Sequence, residues 1–105
     1  MLVLPIKKKW FTMILSGEKK EEYREVSAYW KTRFSNVFAM YPYSYLPVGG
    51  VQQPILFRNG YRKDSPSFIA ICSLEDIRQG KTEWGAERGK EYFVLRIHKI
   101  LDDTN

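Results

Sequence analysis

Gly17-Glu18-Lys19-Lys20-Glu21-Glu22-Tyr23-Arg24 is the stretch on which the fold turns. Just upstream, Lys8–Ser16 carries the pairs Trp10/Ile14 and Phe11/Leu15 four residues apart, which places two apolar rows on neighbouring faces of a helix. Gly17 follows where a helix most often ends on a left-handed glycine. From Lys20 to Val26 the side-chain types alternate instead. Period two sets Glu22, Arg24 and Val26 on one face of a strand and Glu21, Tyr23 and Glu25 on the other. Helix therefore gives way to strand across one glycine turn.

Outward from this switch, Leu2–Ile6 is short and apolar and reads as a first strand. Ser27 can cap a short second helix over Ala28–Phe34. Residues 36–53 carry no charge and are broken by Pro42, Pro47 and Gly49-Gly50. A strand is expected at Val37–Tyr41, then a loop long enough to be functional or mobile. Its tyrosines could pack over the domain or over a second subunit. Strands are expected again at Ile55–Arg58, at Ser67–Leu74 with both faces buried, and at Tyr92–Leu101. Asn59-Gly60 is a hairpin signal, with Lys63-Asp64-Ser65-Pro66 as a competing turn. Leu74–Gly80 reads as holding a short turn and Lys81–Lys90 as a second loop. The expectation is an α+β domain with two short N-terminal helices and a small, curved, mostly antiparallel sheet. Closing that sheet into a barrel would remove its exposed edges.

A chain of 105 residues has room for one domain, residues 1–105, and its 44% apolar and 15% aromatic content excludes disorder. Cys72 and His98 are the only cysteine and histidine, so neither a Cys/His zinc site nor an intramolecular disulfide can form. A reducing, cytoplasmic setting is expected. At the N-terminus the apolar residues precede Lys7-Lys8-Lys9, the reverse of a secretory signal, and no run approaches the ~18 apolar residues of a membrane span. The net charge is +5. Residues 1–35 hold eight Lys and Arg against four Glu, whereas residues 54–105 hold nine basic against eight acidic side chains. The excess thus lies in the third that also carries Trp10, Phe11, Tyr23, Tyr29 and Trp30. Basic residues beside aromatics suit a polyanion with stackable rings; the same lysines could equally serve only to solvate helix surfaces.

Residues 17–24 fit the pattern G-x-K-x-x-E-x-R between an amphipathic helix and a strand, and in this the chain resembles the ASCH domain family. Members of that family are similar to PUA domains and share their small β-barrel. The size and the order strand, helix, motif, strand agree with a lone ASCH domain. Phe57-Arg58-Asn59-Gly60-Tyr61 and Glu83-Trp84-Gly85 are similar to stretches of short bacterial and phage-type members. The resemblance implies a cleft beside the barrel that takes RNA, a nucleotide or a modified nucleoside. Some small members are implied to be amidohydrolases of acylated cytidine, in which the motif lysine acts with a threonine at the position Glu22 occupies here. A glutamate cannot replace that nucleophile, though it could act as a general base toward water. Other members are implied to cleave RNA.

In physical terms Lys19 can reach a phosphate or carbonyl, Glu22 a base edge or the lysine, and Arg24 can clasp phosphate or pair with Glu22. The alternative is a strand-face ion pair beside a solvated turn lysine. Arg58, Asn59 and Tyr61 bring a phosphate clasp, a base-reading amide and a stacking ring. Trp84 could stack on a base or anchor a core, and Lys7 ends the first strand near the motif helix. His98 reads as an ordinary sheet histidine and Cys72 as a small buried hydrophobe. The function expected is RNA or nucleotide binding on Lys19, Glu22, Arg24, Arg58, Asn59, Tyr61, Trp84 and Lys7. Two alternatives stand beside it: a metal-independent hydrolase of a modified nucleoside or RNA using Lys19 and Glu22, and a protein-interaction module using residues 36–53. No cofactor, metal or membrane partner is expected, and the chain is expected to be a monomer or weak dimer. Truncating Lys19 to alanine is expected to weaken binding and spare stability.

Overall fold

Gly17 takes φ of 85°, the left-handed turn that releases the chain from its first helix. That helix, α1, spans Lys8–Leu15 and follows strand β1, Leu2–Ile6. Strand β2 is Glu21–Glu25 and helix α2 is Ala28–Ser35, with the Ser27 hydroxyl accepting the Trp30 N–H at 3.3 Å as the expected cap. Strand β3 is Gln52–Asn59, β4 is Ser67–Gln79 and β5 is Glu91–Ile100, with one 3-10 turn at Thr82–Trp84. The computed structural model describes residues 1–101.

The strands form one curled, mostly antiparallel sheet in the order β1-β3-β4-β5-β2, parallel only between β1 and β3. Two expectations change. Val37–Tyr41 is not a strand: the N–H groups of Val37 and Phe38 both bond the Phe34 carbonyl as the helix unwinds, leaving a single bridge at Met40 and Pro47. Nor does Leu74–Gly80 turn. Strand β4 runs through to Gln79 and absorbs two register shifts, at Ile71/Cys72 and Leu74/Asp76. These shifts bend the sheet, as bulges do. Both turn signals near residue 60 fall in one connection, closed where the Asn59 N–H bonds the Pro66 carbonyl at 2.8 Å.

Inside the curl, β1 buries Leu2, Leu4 and Ile6 by strict alternation. All six phenylalanines are buried, among them Phe57 stacked on Phe68 at 5.2 Å and Phe34 edge-on to Phe93 at 5.4 Å. Helix α1 contributes Phe11 and Ile14 to this core, while Leu15 stays exposed and Trp10 turns elsewhere. Cys72 is fully buried, and burial pushes its thiol up to about 12, so it carries no thiolate at neutral pH. Among the described residues no helix is long and apolar enough to cross a membrane.

Strands β1 and β2 end the order, and among the described residues no ladder joins them. The barrel is therefore half closed rather than complete. What crosses the gap is a side chain: Arg24 Nη2 donates to the Pro5 carbonyl at 3.0 Å.

Candidate functional site

A strand at the end of a sheet presents a row of backbone groups without strand partners. On β2 the motif's own side chains fold back to fill that row. Lys19 Nζ donates to the Glu21 carbonyl at 2.6 Å, Glu22 Oε1 accepts the Tyr23 N–H at 3.3 Å, and Arg24 Nη1 donates to the Tyr23 carbonyl at 2.8 Å. Glu22 ties the two cations together, with Oε1 3.1 Å from Lys19 Nζ and Oε2 2.9 Å from Arg24 Nη1. The turn, the strand alternation and the seam thus bring Lys19, Glu22 and Arg24 into one connected unit.

Lys19 is 1% exposed. Its third acceptor is the Trp84 carbonyl at 2.7 Å, so the three protons of an ammonium meet three oxygens. Burial pulls its pKa below the ordinary lysine value, and the attraction of Glu22 opposes that pull. Trp84 is placed by this bond and by its neighbours. The Lys81 N–H donates to the Tyr23 hydroxyl at 3.0 Å and the Glu87 N–H to the Tyr92 hydroxyl at 3.0 Å, pinning residues 81–87 across the sheet. Tyr23 in turn donates to Glu21 Oε1 at 2.8 Å, and Glu21 receives Arg78 Nη2 at 2.6 Å. Burial and that carboxylate both raise the Tyr23 pKa, so its hydroxyl keeps its proton. Burial pushes Glu21 up, but hydrogen bonds from Arg78 and Tyr23 outweigh it, and its pKa falls below the ordinary value.

Along the seam lies an open cleft of about 870 Å³. Its lining gathers all three tryptophans of the chain, Trp10 from α1, Trp30 from α2 and Trp84 from the pinned segment. Gly85 lies against Trp10 at φ of 102°, and a Cβ there would meet the indole at 3.0 Å. Cations accompany the rings: the Arg24 guanidinium is 5.3 Å from the Trp30 centroid, Arg33 is 5.0 Å from Tyr29, and Lys81 Nζ is 4.4 Å from Trp84. Of the charged residues lining the cleft, Lys7, Arg24 and Arg33 are basic and Glu22 alone is acidic. Both Glu22 oxygens are engaged by the motif, and no carboxylate pairs with Lys7 or Arg33 among the described residues.

Of the residues singled out by sequence, Glu22, Arg24, Asn59, Tyr61, Trp84 and Lys7 line this cleft. Tyr61 and Lys7 stand at its exposed rim. Lys19 lies behind it, supporting Glu22. Arg58 is not part of it: adjacent residues on a strand point to opposite faces, so Asn59 toward the cleft sends Arg58 away. The buried Arg58 Nε has no hydrogen-bond partner among the described residues. Sequence reading missed Trp10, Tyr29, Trp30, Arg33 and Tyr92 as lining residues. Interleaving of basic and aromatic residues in the first third was the only trace of the first four, and Tyr92 left none. Elsewhere, His98 bonds Ser73 Oγ at 2.7 Å on the outer face, and the loop after α2 leaves Tyr41, Tyr43 and Tyr45 exposed. No family model, curated protein or solved structure matches this chain.

Proposed function

We propose that this chain is a nucleotide-binding domain of the PUA-like ASCH kind, holding a base of RNA or of a modified nucleoside in the seam cleft. The observation that carries the reading is the convergence of every tryptophan with an unbalanced set of cations in one opening. Flat rings accept bases by stacking, and guanidinium groups accept phosphate. Asn59 supplies an amide that can both donate to and accept from a base edge.

Binding is favoured over hydrolysis by the state of the motif. Lys19 has spent its three protons on three oxygens and does not reach the cleft, and Glu22 is given over to holding the motif, with Oε1 taken by Lys19 and the Tyr23 N–H and Oε2 paired with Arg24. In this reading the two form the back wall of the site, and the outward groups of Arg24, Asn59 and Tyr61 meet the ligand.

Because all three tryptophans line the cleft, intrinsic fluorescence reports on it directly. Titration with the four nucleoside 5′-monophosphates is expected to give saturable quenching with at least one of them. Tyr61→Ala should weaken that binding by about 1–3 kcal/mol, the usual loss of one stacked ring. Since Tyr61 is 88% exposed, its removal should leave the melting temperature in place. Absence of saturable quenching with all four nucleotides at low salt would sink the reading.

A further inference from the structure

The cleft does not end at Arg33. A second groove, about 670 Å³, opens on the far side of the same residue, and Val3 and Arg33 belong to the walls of both. Its floor is apolar, from Leu2, Val37 and Pro54, and it carries the side-chain amides of Asn36 and Gln53. Arg33 itself is exposed, has no carboxylate partner among the described residues, and is held by stacking at 5.0 Å from Tyr29 and 6.0 Å from Trp30. An uncommitted guanidinium therefore stands between two openings, one walled by indoles and one by amides over an apolar floor.

We propose that the site takes a single-stranded polynucleotide rather than a free nucleotide: one base lies in the tryptophan cleft, the next nucleotide in the second groove, and the phosphodiester between them on Arg33. This rests on the reading of the first cleft as a base site. The chemistry of each part fits its neighbour. A planar, permanently charged fork suits the bridging phosphate. Side-chain amides can pair with a base edge or a ribose hydroxyl, and the apolar floor can receive the face of a base. Strand β1 borders both openings, since Val3 and Pro5 line the first and Leu2 and Val3 the second. Its five residues extend about 13 Å at ~3.3 Å per residue. With one base turned into each opening the strand is splayed rather than stacked, so this track carries the two nucleotides of the proposal.

The test compares uridine, the dinucleotide UpU, and oligouridylates of four and eight residues, with the adenosine series alongside, by tryptophan fluorescence. UpU should bind at least ~tenfold tighter than uridine, since the second contact becomes intramolecular. Affinity should then level off from UpU to the tetramer and the octamer, since the two openings are already filled. Arg33→Ala should remove most of the gain of UpU over uridine. It should also lower the slope of log K against log salt for the tetramer by ~0.7, the share of one phosphate in a single strand, and Arg33→Lys should restore the slope. If uridine or a mononucleotide binds but UpU and the tetramer bind no tighter, the polynucleotide inference fails while the cleft reading stands. An unchanged salt slope in Arg33→Ala would overturn the inference in the same way. If neither nucleosides, mononucleotides nor oligomers bind, both fail together.

Discussion

The chain sorts its largest rings by type. Its six phenylalanines are buried inside the curled sheet, packed on one another, whereas its three tryptophans stand along the unclosed seam, where cations accompany them. Phenylalanine has no polar atom and loses nothing by full burial; an indole keeps an N–H and a strong π face that profit from partial contact with water and charge. A core and an open cleft have thus been built from the same kind of ring, and the difference between them is whether the sheet closes over it.

That contrast can be broken most directly in the core. Phe57→Ala, at a fully buried position stacked on Phe68, should cost about 3–5 kcal/mol in chemical denaturation. A loss below ~1 kcal/mol would mean that the phenylalanine cluster does not carry the fold. The seam comes next. Lys19→Met removes a buried donor, strands the Glu21 and Trp84 carbonyls and takes a cation from the buried Glu22 carboxylate, so a loss of about 3 kcal/mol is expected. This replaces the expectation that truncating Lys19 would spare stability, which assumed an exposed side chain. Unchanged stability in Lys19→Met would show that the seam is held without it. The smallest effect is expected at the latch behind Trp84. The folded pKa of Glu21 lies below its ordinary value of 4.5, so its contribution is present above that pH and fades as the pH falls through the folded value. The stability gap between the wild type and Glu21→Gln should therefore shrink on acidification below about 4.5. A gap that stays constant down to pH 2 would dissociate the carboxylate from the latch.

Much of the frame was legible. The alternation of Glu22 and Arg24 placed both on one face of β2, and they pair there at 2.9 Å. Gly17 and Ser27 marked helix ends because each solves a local backbone problem that requires no tertiary partner. Strand β4 was cut short because its two register shifts break the period on which alternation depends, and charged residues follow them. Val37 and Phe38 look like a strand by composition, but their N–H groups finish helix α2. The cleft was only half legible: its lining comes from segments spread between Val3 and Tyr92, and their convergence is a property of strand order, not of spacing. The expected strand ended at Arg58 with Asn59 in the turn; β3 runs on through Asn59, so the two side chains alternate to opposite faces.

The strand order also sets a timetable for the growing chain. Strand β1 pairs with β3, some fifty residues later, and among the described residues β2 pairs only with β5, some seventy residues on. Long-range pairings of this kind are slow to form, and they cannot form at all before their partners have been synthesised. The basic, aromatic N-terminal third therefore leaves the ribosome with both of its strands unmatched. β2 gains its place only when residues 91–100 arrive, and the Arg24 bridge to Pro5 can fasten only after β1 and β2 have both docked. During synthesis the cleft cannot exist until β5 has emerged.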